Sequence, residues 1–331
     1  MARIKTSLLV FGLLFALIDC SQSVFVGMET PTPGLTPHWP AGTEAALGSP
    51  TPWVGGTQTA LAVPEADPQS QASTATSAPV PTEKLTDFSP VLYGGNVNQS
   101  TIFLLLGGVS TDAWLVPEIS VARFAGEVTY SLHSFTQDSA YFVWGRAPEF
   151  SPRCKAYFVG TDAILEEAGF VGVADGWFVT KRSVTELSDD DPFYRQVVAD
   201  WLGAEGVSFP QVDSVQVYRV DIEGDGTDEV FMSASHLDDS RHTTRAGDYS
   251  IILMRQVTGN EALTSLVVGD VYHSREPEIT YPRTYSLANF VDLNQDGRLD
   301  VVVDIQKWEG FGARVFQIDG QDIIQTLGAE C

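Results

Sequence analysis

The chain has 331 residues and a formal net charge of −24. After residue 85 it carries 37 acidic against 16 basic side chains, and such a surface repels phosphate backbones and anionic lipid headgroups. The charge therefore argues against a nucleic-acid partner and leaves a surface that attracts cations.

The first twenty residues have the layout of a secretory signal. Arg3 and Lys5 precede an apolar run over residues 8–18, which is too short to cross a bilayer comfortably. Cys20 follows, and the arrangement resembles the lipobox of bacterial lipoproteins, whose cysteine becomes the lipidated N-terminus, although Asp19 replaces the usual small residue. We expect an extracytoplasmic protein at the cell surface or in the periplasm, held to the membrane only by this lipid. An uncleaved anchor and ordinary secretion are the alternatives.

Residues 21–85 are predicted to be a disordered linker. Ten of the eighteen prolines fall between residues 29 and 85, among many Thr, Ala, Gly and Ser residues. Proline removes backbone donors, and so few apolar side chains cannot offset the entropy of ordering. The linker should hold the folded part of the chain away from its anchor.

Residues 86–200 are predicted to form a β-rich part with one or two short helices. A helix near 191–202 is indicated by Asp191 as its cap and Pro192 in its first turn. A shorter helix is predicted at 162–169. Short apolar stretches between turn residues predict strands at 102–106, 116–122, 128–132, 140–144 and 156–159.

Residues 205–331 are predicted to form a C-terminal β domain, so the whole fold is expected to be mainly β with antiparallel sheets. Two stretches in this part repeat each other at an offset of 71 residues: an apolar strand, an acidic loop and another apolar strand. Strands are predicted near 213–220, 229–236, 249–257, 264–273, 284–291, 300–307, 312–318 and 322–327.

The second acidic loop has the spacing of a calcium loop. Calcium takes six to eight oxygen ligands, and alternate residues of a tight loop can direct their oxygens to one centre. Gly297 permits the bend at position 6. The predicted ligands at positions 1, 3, 5, 7 and 9 are Asp292, Asn294, Asp296, the carbonyl of Arg298, and Asp300.

The first acidic loop has the same spacing but longer side chains. Glutamate stands at positions 3 and 9, which predicts a weaker or distorted site. The expected ligands are Asp221, Glu223, Asp225, the carbonyl of Thr227, and Glu229. The alternative for both loops is a pair of solvated, metal-free turns, because Asp, Asn and Gly favour turns for local reasons.

The loops are not those of an EF-hand, which needs a glutamate at position 12 and flanking helices. Position 12 is Met232 in one copy and Val303 in the other, each inside an apolar strand. The two copies, over about 213–320, resemble the FG-GAP or VCBS type of repeat. That resemblance implies propeller-blade-like sheets rigidified by Ca²⁺, with partners bound elsewhere. A closed propeller usually needs at least four blades, and the sequence shows two such loops.

Cysteine usage fits an oxidising compartment. If Cys20 is lipidated, Cys154 and Cys331 remain as an even pair, and we predict a disulfide between them. Two unpaired thiols are the alternative.

The function expected from these features is surface-displayed binding or adhesion without catalysis, with an unidentified protein or glycan as partner. Common hydrolase and nucleotide-binding motifs are not found in the sequence. The competing hypotheses are a secreted hydrolase acting on glycan or peptide, with its site in residues 100–200, and an envelope scaffold without a specific ligand.

Overall fold

A computed structural model describes residues 87–97, 100–124, 126–135, 140–161, 165, 169–237, 243–258, 261–274 and 281–331. They belong to one compact unit that spans residues 75–331. The predicted signal and lipobox, the linker up to residue 85, and most of the short helix predicted at 162–169 lie outside the described residues.

Three antiparallel sheets account for most of the described residues, which confirms the mainly β fold. The first sheet contains β1 (Ser89–Val97), β2 (Ser100–Val109), β3 (Trp114–Leu115), β4 (Val128–His133), β5 (Tyr141–Gly145), β6 (Glu149–Ser151), β7 (Ala156–Val159) and β8 (Phe170–Ala174). The second contains β9 (Thr185–Leu187), β10 (Gln216–Val220), β11 (Glu229–His236), β12 (Tyr249–Thr258) and β13 (Glu261–Val271). The third contains β14 (Thr284–Val291), β15 (Asp300–Lys307), β16 (Gly310–Asp319) and β17 (Asp322–Glu330).

The first sheet is curled. Its strand order is β5-β4-β8-β1-β2-β7-β6, with β3 beside β2. The end of β5 returns to the residues after β7, where Gly145 bridges to Thr161 and the Arg146 N–H donates to the Gly160 carbonyl at 2.9 Å. The curl encloses its own apolar cluster, which includes Tyr130.

One predicted strand is wrong: residues 116–122 contribute to a helix, α1 (Pro117–Arg123). Pro117 suits a first turn because its missing N–H has no helical partner there, and Glu118 and Arg123 match the two ends of the helix dipole. The buried Ser120 hydroxyl donates to the Val116 carbonyl at 3.0 Å. A short apolar run fits either element by pattern alone.

The second and third sheets are meanders in which successive strands lie side by side. Their orders are β13-β12-β11-β10-β9 and β14-β15-β16-β17. The eight strands predicted over 213–327 are confirmed, with shifts of a few residues at their ends. A second helix, α2 (Pro192–Ala204), begins after Asp191, whose carboxylate accepts the Phe193 N–H at 2.9 Å.

The third sheet lies between the other two. Along β15, Val302 packs in a cluster with Leu104 of the first sheet, whereas Val301 packs in a cluster with Ile252 of the second. This alternation buries both faces of the central sheet. The outer face of the second sheet is covered by α2 through Val198 and Leu202.

A disulfide joins Cys154, in the turn between β6 and β7, to Cys331 at the chain end. The two cysteines are 177 residues apart. The bond connects the first sheet to the residue that follows the last strand of the third. The predicted pairing is therefore present in the structure.

Three basic side chains surround the carboxylate of Glu330. Lys307 lies at 2.5 Å, Arg314 at 2.6 Å and Arg283 at 3.4 Å. Desolvation raises the pKa of Glu330, but the hydrogen bonds from Lys307 and Arg314 outweigh it and lower the pKa from 4.5 to about 2. The cluster thus favours the charged form in the folded state.

We expect Glu330→Gln to lower the free energy of unfolding at pH 7 by about 2 kcal/mol, since a depressed carboxylate pKa is a contribution to stability. That contribution is complete above pH 4.5 and is lost as the pH falls towards 2. Urea unfolding of both proteins between pH 7 and pH 2 should show that the difference in their unfolding free energies shrinks as the pH falls from 4.5 to 2. A difference in unfolding free energy that does not change with pH would contradict the stabilising role of the Glu330 charge.

Candidate acidic-loop site

The second acidic loop, residues 292–300, connects β14 to β15. Its backbone turns through two residues with left-handed φ angles, Gln295 at 63° and Gly297 at 87°. Glycine adopts this conformation without a steric penalty, which explains its place at the bend. The Asp292 N–H donates to the Thr180 carbonyl at 2.9 Å and ties the start of the loop to the segment before β9.

Two carboxylates of the second loop are buried, with Asp292 3% and Asp300 2% exposed. Asp300 Oδ2 accepts the Leu293 N–H at 2.9 Å, and Asp292 Oδ2 accepts the Gly297 N–H at 3.1 Å. Asp292 Oδ1 is buried and has no hydrogen-bond partner. Burial raises the pKa of both carboxyl groups and the charge of Asp296 raises each further, while backbone N–H groups of the loop oppose the increase.

The remaining predicted oxygens of the second loop lie nearer to solvent. Asp296 Oδ1 accepts the Arg298 N–H at 2.8 Å, and its Oδ2 accepts from the side chains of Asn294 at 2.9 Å and Gln317 at 2.8 Å. The Arg298 side chain donates to Asp319 at 2.6 Å. Asp296 is therefore held by protein donors.

The first acidic loop, residues 221–229, connects β10 to β11. Asp221 accepts the N–H groups of Gly224 at 2.6 Å, Asp225 at 3.2 Å and Gly226 at 2.9 Å. Desolvation raises the pKa of Asp221, but these bonds outweigh it and lower the pKa overall. Glu229 is buried, accepts the Ile222 N–H at 2.9 Å, and has a pKa raised by burial.

The two loops share three hydrogen bonds at equivalent positions. The carboxylate at position 9 accepts the N–H of position 2, the carboxylate at position 1 accepts the glycine N–H of position 6, and the carboxylate at position 5 accepts the N–H of position 7. In the first loop the three pairs are Glu229–Ile222, Asp221–Gly226 and Asp225–Thr227. In the second loop, in the same order, they are Asp300–Leu293, Asp292–Gly297 and Asp296–Arg298. Both loops also join two antiparallel strands that are neighbours in a meander, β10 and β11 in the second sheet and β14 and β15 in the third.

The two loops touch each other. The Leu299 N–H donates to the Ile222 carbonyl at 2.9 Å. Arg182 donates to the carbonyls of Asp221 at 3.0 Å and Ile222 at 2.5 Å through Nη1, and to the carbonyl of Gly297 through Nη2. Glu223, a predicted ligand, instead accepts the Gly320 N–H at 3.4 Å. Arg182 thus fastens one loop to the other.

A cleft of about 490 Å³ opens beside the segment that carries Arg182. Its walls are formed by Phe135, Lys181, Arg182, Ser183, Val184, Glu186, Tyr218, Asn289 and Phe290. Neither this cleft nor the role of Arg182 was predicted from the sequence. One signal was available, because two consecutive basic residues are unusual in so acidic a chain.

Across the described ranges, no three side chains from His, Cys, Asp and Glu are arranged as a metal site. In that same part of the chain, no helix is long and apolar enough to span a bilayer. No protein-family model, no curated protein and no solved structure matches this chain.

Proposed function

We propose that this protein is a membrane-tethered, extracytoplasmic binding or adhesion module whose last two sheets are stapled by Ca²⁺. The observation that carries the proposal is the buried, unpartnered Oδ1 of Asp292 in the second loop. A carboxylate oxygen removed from water without a donor is costly, and a cation at that point would compensate the cost.

The residues of the second loop fit a hard cation. Its side-chain oxygens at positions 1, 3, 5 and 9 are those that calcium prefers, and the carbonyl of Arg298 completes the alternation. Binding would require Asp296 to exchange its side-chain donors for the ion. The ligands of this site would be Asp292, Asn294, Asp296, Arg298 and Asp300.

The first loop fits less well. The carboxylate of Asp221 already accepts three backbone N–H groups, and Glu223 accepts the Gly320 N–H. We infer a weaker second ion there, held by Asp221, Glu223, Asp225, Thr227 and Glu229. Each ion would rigidify the sheet whose strands its loop connects, as the resemblance to FG-GAP or VCBS repeats implies.

A pair of convergent carboxylates about 5–10 Å apart would favour the competing hydrolase, in its glycan-cleaving form. Among the described residues that line the cleft beside Arg182, one, Glu186, carries a carboxylate. This composition favours binding over hydrolysis at that cleft.

The N-terminal sequence accounts for the membrane tether in the proposal. Lipid at Cys20 would hold the protein to the membrane, and the linker would let the folded part extend away from it.

Thermal unfolding of the full chain in calcium and in excess chelator tests the proposal. We expect a higher melting temperature in calcium, because an ion that binds only the folded state adds about 2.7 kcal/mol per site at a hundred times its Kd. The Kd should be on the order of 10⁻⁴–10⁻³ M, the range of extracellular calcium modules. Identical melting curves in both conditions would refute the proposal that calcium stabilises the fold through the two acidic loops.

Two variants locate the effect. Asp292→Asn keeps an acceptor for Gly297 and removes a buried charge, so the chelated protein should stay folded while its response to calcium falls. Glu261→Gln removes one exposed carboxylate from β13 and should leave the calcium response intact. Equal responses in the two variants would show that calcium acts through general charge screening.

A further inference from the structure

An exposed aromatic ring lies beside the second acidic loop. The segment after β8 is tied to this loop at two points: the Thr180 carbonyl accepts the Asp292 N–H at 2.9 Å, and the Trp177 indole donates to the Leu293 carbonyl at 2.8 Å. Phe178 lies between Trp177 and Thr180 in the chain. Its backbone is therefore held next to positions 1 and 2 of the loop.

The Phe178 ring faces solvent, whereas the preceding side chain faces the core. Trp177 is buried in the same apolar cluster as Leu293, but Phe178 is 71% exposed. Successive residues of an extended segment point to opposite sides, which explains the contrast. A ring so exposed contributes little to core packing, and its anchored backbone makes it a rigid apolar surface for an external ligand.

The calcium ion proposed for the second loop would have room for a ligand. Ca²⁺ takes six to eight oxygens, and the five ligands of this loop supply five when each gives one, so at least one position is left. The buried, unpartnered Oδ1 of Asp292 is the independent sign that a cation belongs there. Gln295, Asp296 and Gly297 are exposed, so a ligand can approach the loop from solvent.

The charges of the second loop favour a neutral ligand oxygen. Its ligating carboxylates are those of Asp292, Asp296 and Asp300, and their three negative charges exceed the two positive charges of one calcium ion. A fourth carboxylate would add to the net negative charge, whereas a hydroxyl group offers a hard oxygen without adding charge.

We propose that the second loop with its calcium ion and the ring of Phe178 together bind a neutral sugar residue. Adjacent hydroxyls of the sugar supply oxygens to the ion, and the apolar face of the sugar ring packs on Phe178. Sugars combine paired neutral oxygens with an apolar ring face, which neither a peptide carboxylate nor an apolar side chain does. This ligand class rests on the calcium site proposed above and names the partner of that same site.

Binding of neutral hexoses to the full chain tests the proposal. The probes are D-glucose, D-galactose and D-mannose, each as the free sugar and as its methyl glycoside, with acetate as the carboxylate control. In about 10 mM calcium we expect saturable binding of at least one hexose, and at least about tenfold weaker binding both of that hexose in excess chelator and of acetate. A methyl glycoside that binds at least as well as its free sugar identifies a glycan end as the source, and the opposite preference identifies a free monosaccharide. Failure of every hexose to bind, hexose binding that is unchanged in chelator, or equal binding of acetate would overturn the assignment.

Phe178→Ala should weaken hexose binding at least about tenfold, because it removes the apolar surface under the sugar ring. Phe209→Ala is the matched control. Phe209 is 96% exposed and lies between α2 and β10, so its loss should leave hexose binding unchanged. Equal affinities in the two variants would overturn the role of Phe178.

Melting curves of the same samples without sugar separate the sugar site from the calcium site. Phe178 is not among the calcium ligands, so Phe178→Ala should keep the calcium-dependent rise in melting temperature of the parent chain. A parent chain that responds to calcium but binds no hexose rejects the sugar site alone. A parent chain that does not respond to calcium rejects the calcium site on which the sugar site depends.

Discussion

Removing the Cys154–Cys331 disulfide is expected to lower the free energy of unfolding by about 5 kcal/mol. The bond closes a loop of 177 residues, and closing so long a loop restricts the unfolded chain strongly. It also holds the chain end beside β16, where the Cys331 N–H donates to the Phe311 carbonyl at 2.8 Å. Denaturant unfolding of the Cys154→Ser, Cys331→Ser double variant measures the loss.

Cys20→Ser is the matched control, because Cys20 precedes the described fold and should contribute nothing to its unfolding free energy. In the double variant, the calcium response should persist, since the hydrogen bonds that shape the two acidic loops involve neither cysteine. An unfolding midpoint equal to that of the parent chain would contradict the stabilising role of the disulfide.

Arg182→Met is expected to lower the free energy of unfolding by about 3 kcal/mol and to weaken the calcium response. The substitution deprives three carbonyls, two in the first loop and one in the second, of a charged donor. Methionine keeps much of the side-chain volume, so the loss reports the hydrogen bonds rather than a cavity. Urea unfolding with and without calcium measures both effects.

Arg219→Met provides the comparison. Arg219 pairs with Asp228 of the first loop at 2.7 Å, but both side chains are more than one-third exposed. Exposed pairs contribute at most about 1 kcal/mol. If both variants lose the same free energy and respond equally to calcium, Arg182 does not fasten the loops.

The meander strands were predictable because β-branched and aromatic residues fill them and acidic turns separate them. Val301, Val302 and Val303 indicate a strand buried on both faces, which the central position of the third sheet explains. The spacing of the acidic residues likewise located both loops. Local pattern was sufficient for these elements.

The first sheet was harder to predict because its glycines lie inside strands. Gly107 and Gly108 suggest a turn, yet both belong to β2, where the Phe88 ring packs against Gly108 and leaves no room for a side chain. In β8, Gly172 lies against Leu132 in the same way. Glycine is needed at these positions because a neighbouring side chain packs directly against the backbone, and not because the chain turns. Only the tertiary structure distinguishes the two cases.

The detailed arrangement of the site was also beyond the sequence. Arg182 lies 39 residues before Asp221 and 115 before Gly297, so no local pattern connects it to the two loops. The orphaned oxygen of Asp292 depends on burial by sheets that are distant in sequence. Spacing identifies candidate ligands, whereas their hydrogen bonds depend on tertiary contacts.

The most direct measurement of the central claim is the number of calcium ions bound by the full chain in equilibrium titration, compared with that of Asp292→Asn. We expect up to two ions per chain, the tighter one in the second loop, and loss of that tighter ion in the variant. No saturable binding up to about 10 mM calcium, well above the ~10⁻⁴–10⁻³ M range of extracellular modules, would contradict the claim and leave both loops as metal-free turns.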